Sequence, residues 1–131
     1  MRTIEVKTKA KEDLIDITLQ VQEEIASSGV KNGLCLVYVP HTTAGVTINE
    51  NADPSVKEDL LMTMKKLVPN SLSYKHLEGN SPAHVKASLL GSSINLIIEE
   101  GRLSLGIWQG VFFCEFDGPR RRKVCIKTFG F

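Results

Sequence analysis

Long apolar runs fill the last third of this chain and constrain its fold more than any other feature. The runs at residues 94–98, 102–116 and 121–129 are rich in Ile, Val, Leu and Phe. Such runs, bounded by glycine, proline or asparagine, are typical of β-strands. Residues 117–119, Asp-Gly-Pro, separate the last two runs and predict a tight turn. The C-terminal third is therefore expected to be sheet, with a hairpin joining its last two strands.

Three further strands are predicted nearer the N-terminus. Residues 2–9 alternate between polar and apolar side chains, which indicates a half-buried strand. Residues 33–39 form a short apolar run that ends at Pro40, as expected of a buried strand. Residues 44–49 follow a polar turn and predict another strand.

Three helices are predicted between these strands. The first spans residues 16–28, where apolar residues recur every four positions between a capping aspartate and a terminating glycine. The second runs from the Asp-Pro pair at 53–54 to about residue 67, since proline is favoured at the first helical position. The third spans residues 83–90, after the Ser-Pro pair at 81–82.

Together these elements predict one α+β domain spanning residues 1–131. Its mostly antiparallel β-sheet is expected to carry the helices packed on one side. A chain of 131 residues fits one domain. It buries roughly two thirds of its unfolded surface, enough for a core without disulfides or structural metals.

Composition excludes several classes of function. The net charge of +1 lacks the basic excess of a general nucleic-acid binder, so no nucleic acid is expected as a partner. No apolar run approaches the ~20 residues of a membrane span, and the N-terminus lacks a signal-peptide core, so we expect no membrane partner and a cytoplasmic location. Cys35, Cys114 and Cys125 form no Cys-x-x-Cys motif and are expected to be reduced and largely buried.

All three histidines lie in two polar segments, residues 39–45 and 74–86. Both segments are rich in glycine, asparagine, serine and threonine, the composition of loops that carry binding sites. Taken singly, His41, His76 and His84 are each better explained as loop or cap residues than as metal ligands. Three neutral imidazoles can also hold a divalent ion, zinc above all, with one position open for water or substrate.

Other polar residues near these histidines are candidates for catalysis and anion binding. Glu78 can orient an imidazole or act as general base, or it is simply a solvated loop acid. Asn80 and Ser81 lead into the third helix, whose free N–H groups predict an anion near the metal. Thr42 and Thr43 offer hydroxyl groups beside the first histidine.

The β-rich region supplies two more pairs of candidates. Arg120 and Arg122 belong to a basic cluster at the start of the last strand, and guanidinium groups suit phosphate, although a solvated hairpin end explains them as well. Trp108 and Gln109 lie between two glycines. They predict an aromatic wall and an amide for a ring-shaped substrate, or else a core tryptophan packed where glycine leaves space.

Several motifs occur in order along essentially the whole chain. They are His41-Thr42-Thr43-Ala44, Ile48-Asn49-Glu50 with Asp53-Pro54, Tyr74-x-His76, Glu78-Gly79-Asn80 with Ala83-His84-x-Lys86-Ala87, Leu105-Gly106-x-Trp108-Gln109, and Asp117-Gly118-Pro119-Arg120-x-Arg122. In this combination the chain resembles the YjbQ-like family, also called the secondary thiamine-phosphate synthase family.

The resemblance implies a compact α+β fold, a homotrimer, and a metal bound by His41, His76 and His84. It implies a thiamine-phosphate synthase that joins hydroxymethylpyrimidine pyrophosphate to a thiazole phosphate and releases pyrophosphate. The substrate would then be a small phosphorylated metabolite. Two alternatives stay open: a metal-assisted hydrolase with Glu78 as base, and a non-catalytic trimer that binds a metal or metabolite.

Overall fold

The computed structural model describes residues 1–131 as eight strands and three helices. In chain order these are β1 Arg2–Lys7, β2 Asp13–Asp16, α1 Thr18–Ser28, β3 Gly33–Tyr38, β4 Ala44–Glu50, α2 Pro54–Leu67, α3 Ser81–Leu90, β5 Ser93–Glu99, β6 Arg102–Leu103, β7 Gln109–Glu115 and β8 Arg121–Gly130. Every strand pairing is antiparallel.

The strands form two sheets that share one core. The first sheet has the order β1-β8-β3-β5-β6 and the second has the order β2-β7-β4. Apolar side chains from both sheets pack with Ile17, Val21 and Ile25 in one buried cluster, so the start of α1 and the helix itself also face this core. The predicted fold class is confirmed: this is a single α+β domain of curled antiparallel sheets with three helices on one side.

Strand β7 is buried on both faces and links the layers. Val111 and Phe113 belong to the core that the two sheets share. Phe112 and Cys114 point the other way, into a second cluster that includes two alanines of α3 and partly buried residues of α2. Because a strand covered on both sides has no solvent face, its sequence is almost continuously apolar.

The helix boundaries follow their capping residues. Asp53 caps α2 by accepting the Ser55 N–H at 2.9 Å. Gly29 ends α1 in the left-handed conformation, with φ 74°. Asp16 is the expected cap of α1, but the N-cap position belongs to Ile17. Asp16 is the last residue of β2, and its carboxylate accepts the N–H of Thr18, the first helical residue, at 2.9 Å. None of the three helices combines the length and apolar character that a membrane span requires.

Two strand predictions are wrong. Residues 102–116 do not form one strand, because residues 104–108 separate β6 from β7. The last two strands do not form a hairpin, because β7 and β8 lie in different sheets and residues 116–120 carry the chain between them. Apolar runs identify strands but not their partners. Here β7 pairs between β2 and β4, where both of its faces are covered.

The cysteines are free thiols, as expected. Cys35 and Cys114 are buried, whereas Cys125 is only half-buried. Burial raises the pKa of Cys35 to about 11 and that of Cys114 to about 12. Both buried thiols are therefore protonated, and unreactive, at neutral pH.

Gly45 allows the end of α3 to lie against β4. A Cβ atom at this position would sit 2.6 Å from the carbonyl oxygen of Gly91. That oxygen also accepts the Val46 N–H at 3.1 Å, so it cannot move away without losing a hydrogen bond. The first residue after α3 is thereby fixed beside the start of β4.

We expect Gly45→Ala to lower the free energy of unfolding by about 1–3 kcal/mol, as overpacking of a tight interior does. Gly130→Ala is the matched control, because its Cβ would lie 3.8 Å from the nearest atoms, which are side-chain methyl groups. Urea unfolding followed by circular dichroism measures both variants. Equal stability of the two would contradict the close approach at Gly45.

Candidate functional site

The loop that carries the first histidine begins where β3 loses its backbone partner. Strand β3 ends at Tyr38 and β4 begins at Ala44. Continuing the β3–β8 register would place Pro40 opposite Lys123, but β3 ends at Tyr38 and does not reach this position. The Lys123 N–H donates instead to Nε2 of His41 at 2.9 Å. At this position the imidazole of His41, and not the backbone of β3, is the hydrogen-bond partner of β8.

His41 lines an open cavity of about 500 Å³, which we name the His41 cavity. Its walls come from the loop after β3, the start of β4 and one flank of α3. The lining residues are His41, Thr42, Ala44, His84, Ala87, Ser88, Gly91 and Ser92. They include two imidazoles and three hydroxyl groups but no carboxylate. Such a wall suits a ligand that carries hydrogen-bond acceptors.

His84 connects this cavity to His76. The two ring centroids lie 5.3 Å apart and the ring planes cross at 88°. Nε2 of His76 lies 3.9 Å from Oε1 of Glu78, which is too long for a hydrogen bond. His76 does not line the His41 cavity. The structure therefore joins the histidines in two pairs, His41 with His84 and His84 with His76.

The three predicted ligands do not form one metal site within the chain. No group of three or more His, Cys, Asp or Glu side chains is placed to hold a metal ion. One nitrogen of His41 accepts the Lys123 N–H, and in a neutral imidazole the other nitrogen carries the proton. The ring then has no lone pair for a metal. A zinc ion held by His41, His76 and His84 stays a prediction. The positions of the three side chains in this structure do not fit it.

A buried ion pair lies beneath the histidine loop. The side chains of Arg122 and Glu115 are 2% and 0% exposed. Nε of Arg122 donates to Oε1 at 2.9 Å, and Nη2 donates both to Oε2 and to Oγ1 of Thr43. Glu115 also accepts the Thr8 hydroxyl at 2.8 Å and the Asp117 N–H at 3.0 Å. The pair joins β7 to β8, across the two sheets, and anchors the loop at Thr43.

Arg122 is therefore not available to bind a phosphate group, contrary to the prediction. A guanidinium group in this apolar interior needs a carboxylate partner, and Glu115 on the neighbouring sheet supplies one. The sequence shows the basic cluster but not which of its members faces inward.

The ion pair also influences the protonation states of Glu115 and His41. Burial alone would raise the pKa of Glu115, but hydrogen bonds from Arg122, the Asp117 N–H and Thr8 overcome it and hold this pKa below its ordinary value. Burial, followed by the charge of Arg122, lowers the pKa of His41. At neutral pH the carboxylate is ionised and the imidazole is neutral.

Two predicted site residues line a second cavity, of about 190 Å³, on a different flank of α3. Glu78 and Asn80 belong to its wall and not to that of the His41 cavity. The same wall includes Lys86, whose buried Nζ lies 2.9 Å from Oε2 of Glu12. The candidate base therefore lines a different cavity from His41.

Arg120 is tied to this second region. Its Nη2 donates to Oδ2 of Asp117 at 3.0 Å, and Nδ2 of Asn80 donates to the same oxygen at 2.8 Å. Ser81 is the first residue of α3 and lines neither cavity. The predicted anion site at the start of α3 is thus not joined to the His41 cavity.

Trp108 and Gln109 lie far from His41 within the chain. Strand β4 runs from Ala44, beside the histidine loop, to Glu50, which pairs with Gln109. At about 3.3 Å per residue, the two ends of β4 are roughly 20 Å apart. Trp108 is 58% exposed, so it is not a core tryptophan. The side-chain oxygen of Gln109 accepts a backbone N–H of its own loop at 2.8 Å.

Four parts of the site were not anticipated: Ser88, Ser92, Glu115 and the backbone N–H of Lys123. Glu115 did carry a signal, because an acid in an almost unbroken apolar run is expected to be buried against a cation. The serines carried none, since exposed serines are common on any helix or turn.

The full length of the chain matches one family model. That model, for UPF0047 proteins that are YjbQ-like, matches residues 2–131. The chain belongs to the YjbQ-like UPF0047 family. A UPF0047 protein of Methanocaldococcus jannaschii is 53% identical, over 96% of this chain and 91% of its own. The UPF0047 protein YugU of Bacillus subtilis is 48% identical, over 99% of each chain. The family resemblance of the motifs is confirmed.

Solved structures of YjbQ-like proteins have the same fold. An uncharacterized conserved protein of the family from Clostridium acetobutylicum is 53% identical, with a TM-score of 0.97 over 98% of this chain and 100% of that one. A protein of unknown function from Sulfolobus solfataricus is 38% identical, with a TM-score of 0.95 over 99% and 96%. The two-sheet architecture is thus shared within the family.

We expect Glu115→Gln to lower the free energy of unfolding by about 3–5 kcal/mol, because it leaves the buried Arg122 charge without its counterion. The matched control is Arg120→Gln. Arg120 is half exposed in its pair with Asp117, so its loss should cost only about 0–1 kcal/mol. Urea unfolding at pH 7 measures both.

The pH dependence provides a second check. Since the pKa of Glu115 is lowered in the folded state, its contribution is complete above the ordinary carboxyl pKa of 4.5 and is lost as the pH falls through the lower folded value. As the pH falls from 4.5 to the lower folded pKa, the wild-type protein should therefore lose the stability that ionised Glu115 contributes. Glu115→Gln lacks this contribution and should not show the same loss. A constant difference between the two proteins across this range would contradict the role of the ion pair.

Proposed function

We propose that this protein binds the phosphoryl group of a small phosphorylated metabolite in the His41 cavity. The composition of the cavity wall carries the proposal. Thr42 and Ser92 present hydroxyl groups that make no hydrogen bond within the chain, and His41 and His84 add imidazoles. A phosphate ester offers several acceptor oxygens and a negative charge. A cation would meet no carboxylate on this wall.

The first two carbonyl groups after α3 are already engaged. The Gly91 oxygen accepts the Val46 N–H at 3.1 Å, and the Ser92 oxygen accepts the Val39 N–H at 2.7 Å. A free helix C-terminus would repel an anion through its unpaired carbonyl groups. Because backbone N–H groups already bind these two oxygens, the polar groups that this side of the cavity offers to a ligand are mainly serine hydroxyl groups.

Thiamine-phosphate synthase is the reaction that the family resemblance favours within this class. Both of its reactants carry phosphoryl groups, and the cavity would hold one of them while pyrophosphate leaves the other. A divalent metal, zinc above all, belongs to the same expectation. Since the three histidines do not form one ligand set, we assign the binding step to the donors of this chain. The hydrolase alternative has less support because Glu78 lines the other cavity.

We further propose that three copies assemble through the outer face of the first sheet. On this face Leu34 lies between Ile97 and Phe129 on the neighbouring strands, and Tyr38 follows farther along β3. These four side chains are 36–53% exposed, and no helix covers them. A contiguous apolar surface of this kind is typical of an interface between proteins.

A second copy is the occupant that this face fits. The face reaches the His41 cavity, because Tyr38 pairs with Ser93 and the adjacent Ser92 belongs to the cavity wall. A copy seated on the face would border the cavity. Trp108 and Gln109, remote from the cavity in their own chain, can reach one only in a neighbouring copy.

Calorimetric titration with inorganic phosphate and with phosphate monoesters tests the binding site. Thr42→Val and Ser92→Ala each remove one hydrogen bond to a charged group, so each should weaken binding by about tenfold or more. Ser104→Ala is the control, since this exposed serine lies outside the cavity. Unchanged affinity in Thr42→Val and Ser92→Ala would place the anion elsewhere.

Turnover is tested separately, by incubation with hydroxymethylpyrimidine pyrophosphate and thiazole phosphate. We expect release of pyrophosphate that Thr42→Val and Ser92→Ala reduce. Phosphate binding without turnover would favour the non-catalytic alternative.

We expect light scattering at micromolar concentration to give three times the chain mass of 14.5 kDa. Ile97→Asp should dissociate the assembly, because it buries an unpaired charge in the interface. Leu72→Asp is the control: this residue is exposed to a similar extent, 58% against 53%, but lies in the loop after α2. A wild-type monomer would overturn the proposal.

A further inference from the structure

His41 stands between the backbone of β8 and the His41 cavity. Its Nε2 accepts the Lys123 N–H at 2.9 Å, and the same side chain lines the cavity. A backbone amide N–H can only donate. The ring nitrogen that faces it must therefore offer a lone pair.

This contact fixes the position of the imidazole proton. In a neutral imidazole one nitrogen accepts and the other donates. Because Nε2 accepts, the proton is on Nδ1, which makes no hydrogen bond within the chain. The ring thus presents one N–H group and no free lone pair.

The surroundings hold the ring in this state. Lys123 follows Arg122 in β8, and the Arg122 guanidinium is bound to Glu115 and Thr43. Thr43 lies two residues after His41, in the same loop. The strand that donates to the ring and the loop that carries it are therefore both tied to one buried ion pair.

We propose that His41 is a specificity-determining hydrogen-bond donor, which recognises a phosphoryl oxygen through its Nδ1–H group and does not ligate a metal. This inference rests on the proposed binding of a phosphoryl group in the His41 cavity. A fixed N–H group selects oxygens that accept, such as those of a doubly ionised phosphate monoester. It disfavours metal ions and ammonium groups, which need a lone pair from the ring.

Two substitutions of His41 test the roles of its two ring nitrogens separately. Gln in place of His41 can put its side-chain oxygen where Nε2 was, so it keeps the bond to the Lys123 N–H but loses the donor to the cavity. Asn in that place can put its amide N–H₂ where Nδ1 was, so it keeps the donor but leaves the Lys123 N–H unpaired. We expect His41→Gln to keep wild-type stability and to weaken inorganic phosphate binding about tenfold. We expect His41→Asn to lower the stability of the protein and to keep the wild-type affinity for inorganic phosphate.

Nitrogen NMR of protein labelled with ¹⁵N-histidine tests the ring directly, without any ligand. Long-range proton–nitrogen correlations at pH 7.5 should show an unprotonated Nε2 and a protonated Nδ1 for His41, assigned by the loss of its signals in His41→Gln. One equivalent of Zn²⁺ should leave this pattern unchanged, and inorganic phosphate should shift the Nδ1 proton.

The outcomes separate this inference from the proposed function. A protonated Nε2, or a Zn²⁺ shift of the nitrogens of His41, would overturn the assignment of His41 even if phosphate binds. A protonated Nδ1 with no phosphate binding to the wild-type protein would overturn the proposed function and the recognition role, while excluding His41 as a zinc ligand. Equal loss of phosphate affinity in both variants would contradict the donor role of Nδ1.

Discussion

The buried ion pair between Arg122 and Glu115 is the interaction on which the rest of the site depends. It joins the second sheet to the first and, through Thr43, fixes the loop that carries His41. Both oxygens of Glu115, and Nε and Nη2 of Arg122, have hydrogen-bond partners inside the protein. A charged pair at this depth adds little net stability against an apolar substitute, but either charge alone would be costly. Its main effect here is to specify one relative position of the two strands.

Helix α3 divides the polar residues that cluster in the sequence. One flank, with His84, faces the His41 cavity, and another, with Lys86, faces the second cavity. Residues that are neighbours in sequence, such as Glu78 and His84, therefore serve different sites. The close packing at Gly45 sets the distance between the helix and β4, and with it the width of the His41 cavity.

Local signals were read correctly where they act within a few residues. Asp53 and Gly29 mark helix ends through hydrogen bonds or dihedral angles that neighbouring residues decide. The turn at Asp117 wrongly predicts a hairpin after β7, because a turn sequence looks identical whether the chain folds back or crosses to another sheet. Within the site, the polar composition of the two histidine segments correctly predicts that His41 and His84 share one site. The basic cluster does not reveal that Arg122 faces inward, because that orientation depends on Glu115.

The sequence by itself determined the three helices, most of the strands, the α+β class, the family and the segments that hold the site. Periodicity, capping residues and motif order are local properties, and they survive without knowledge of the fold. Only the tertiary structure decided strand partners, the division into two cavities and the state of the His41 ring. These depend on which groups meet across the core. The Lys123 N–H reaches His41 because β3 ends at Tyr38, before its register reaches Lys123. This contact joins residues that are 82 positions apart.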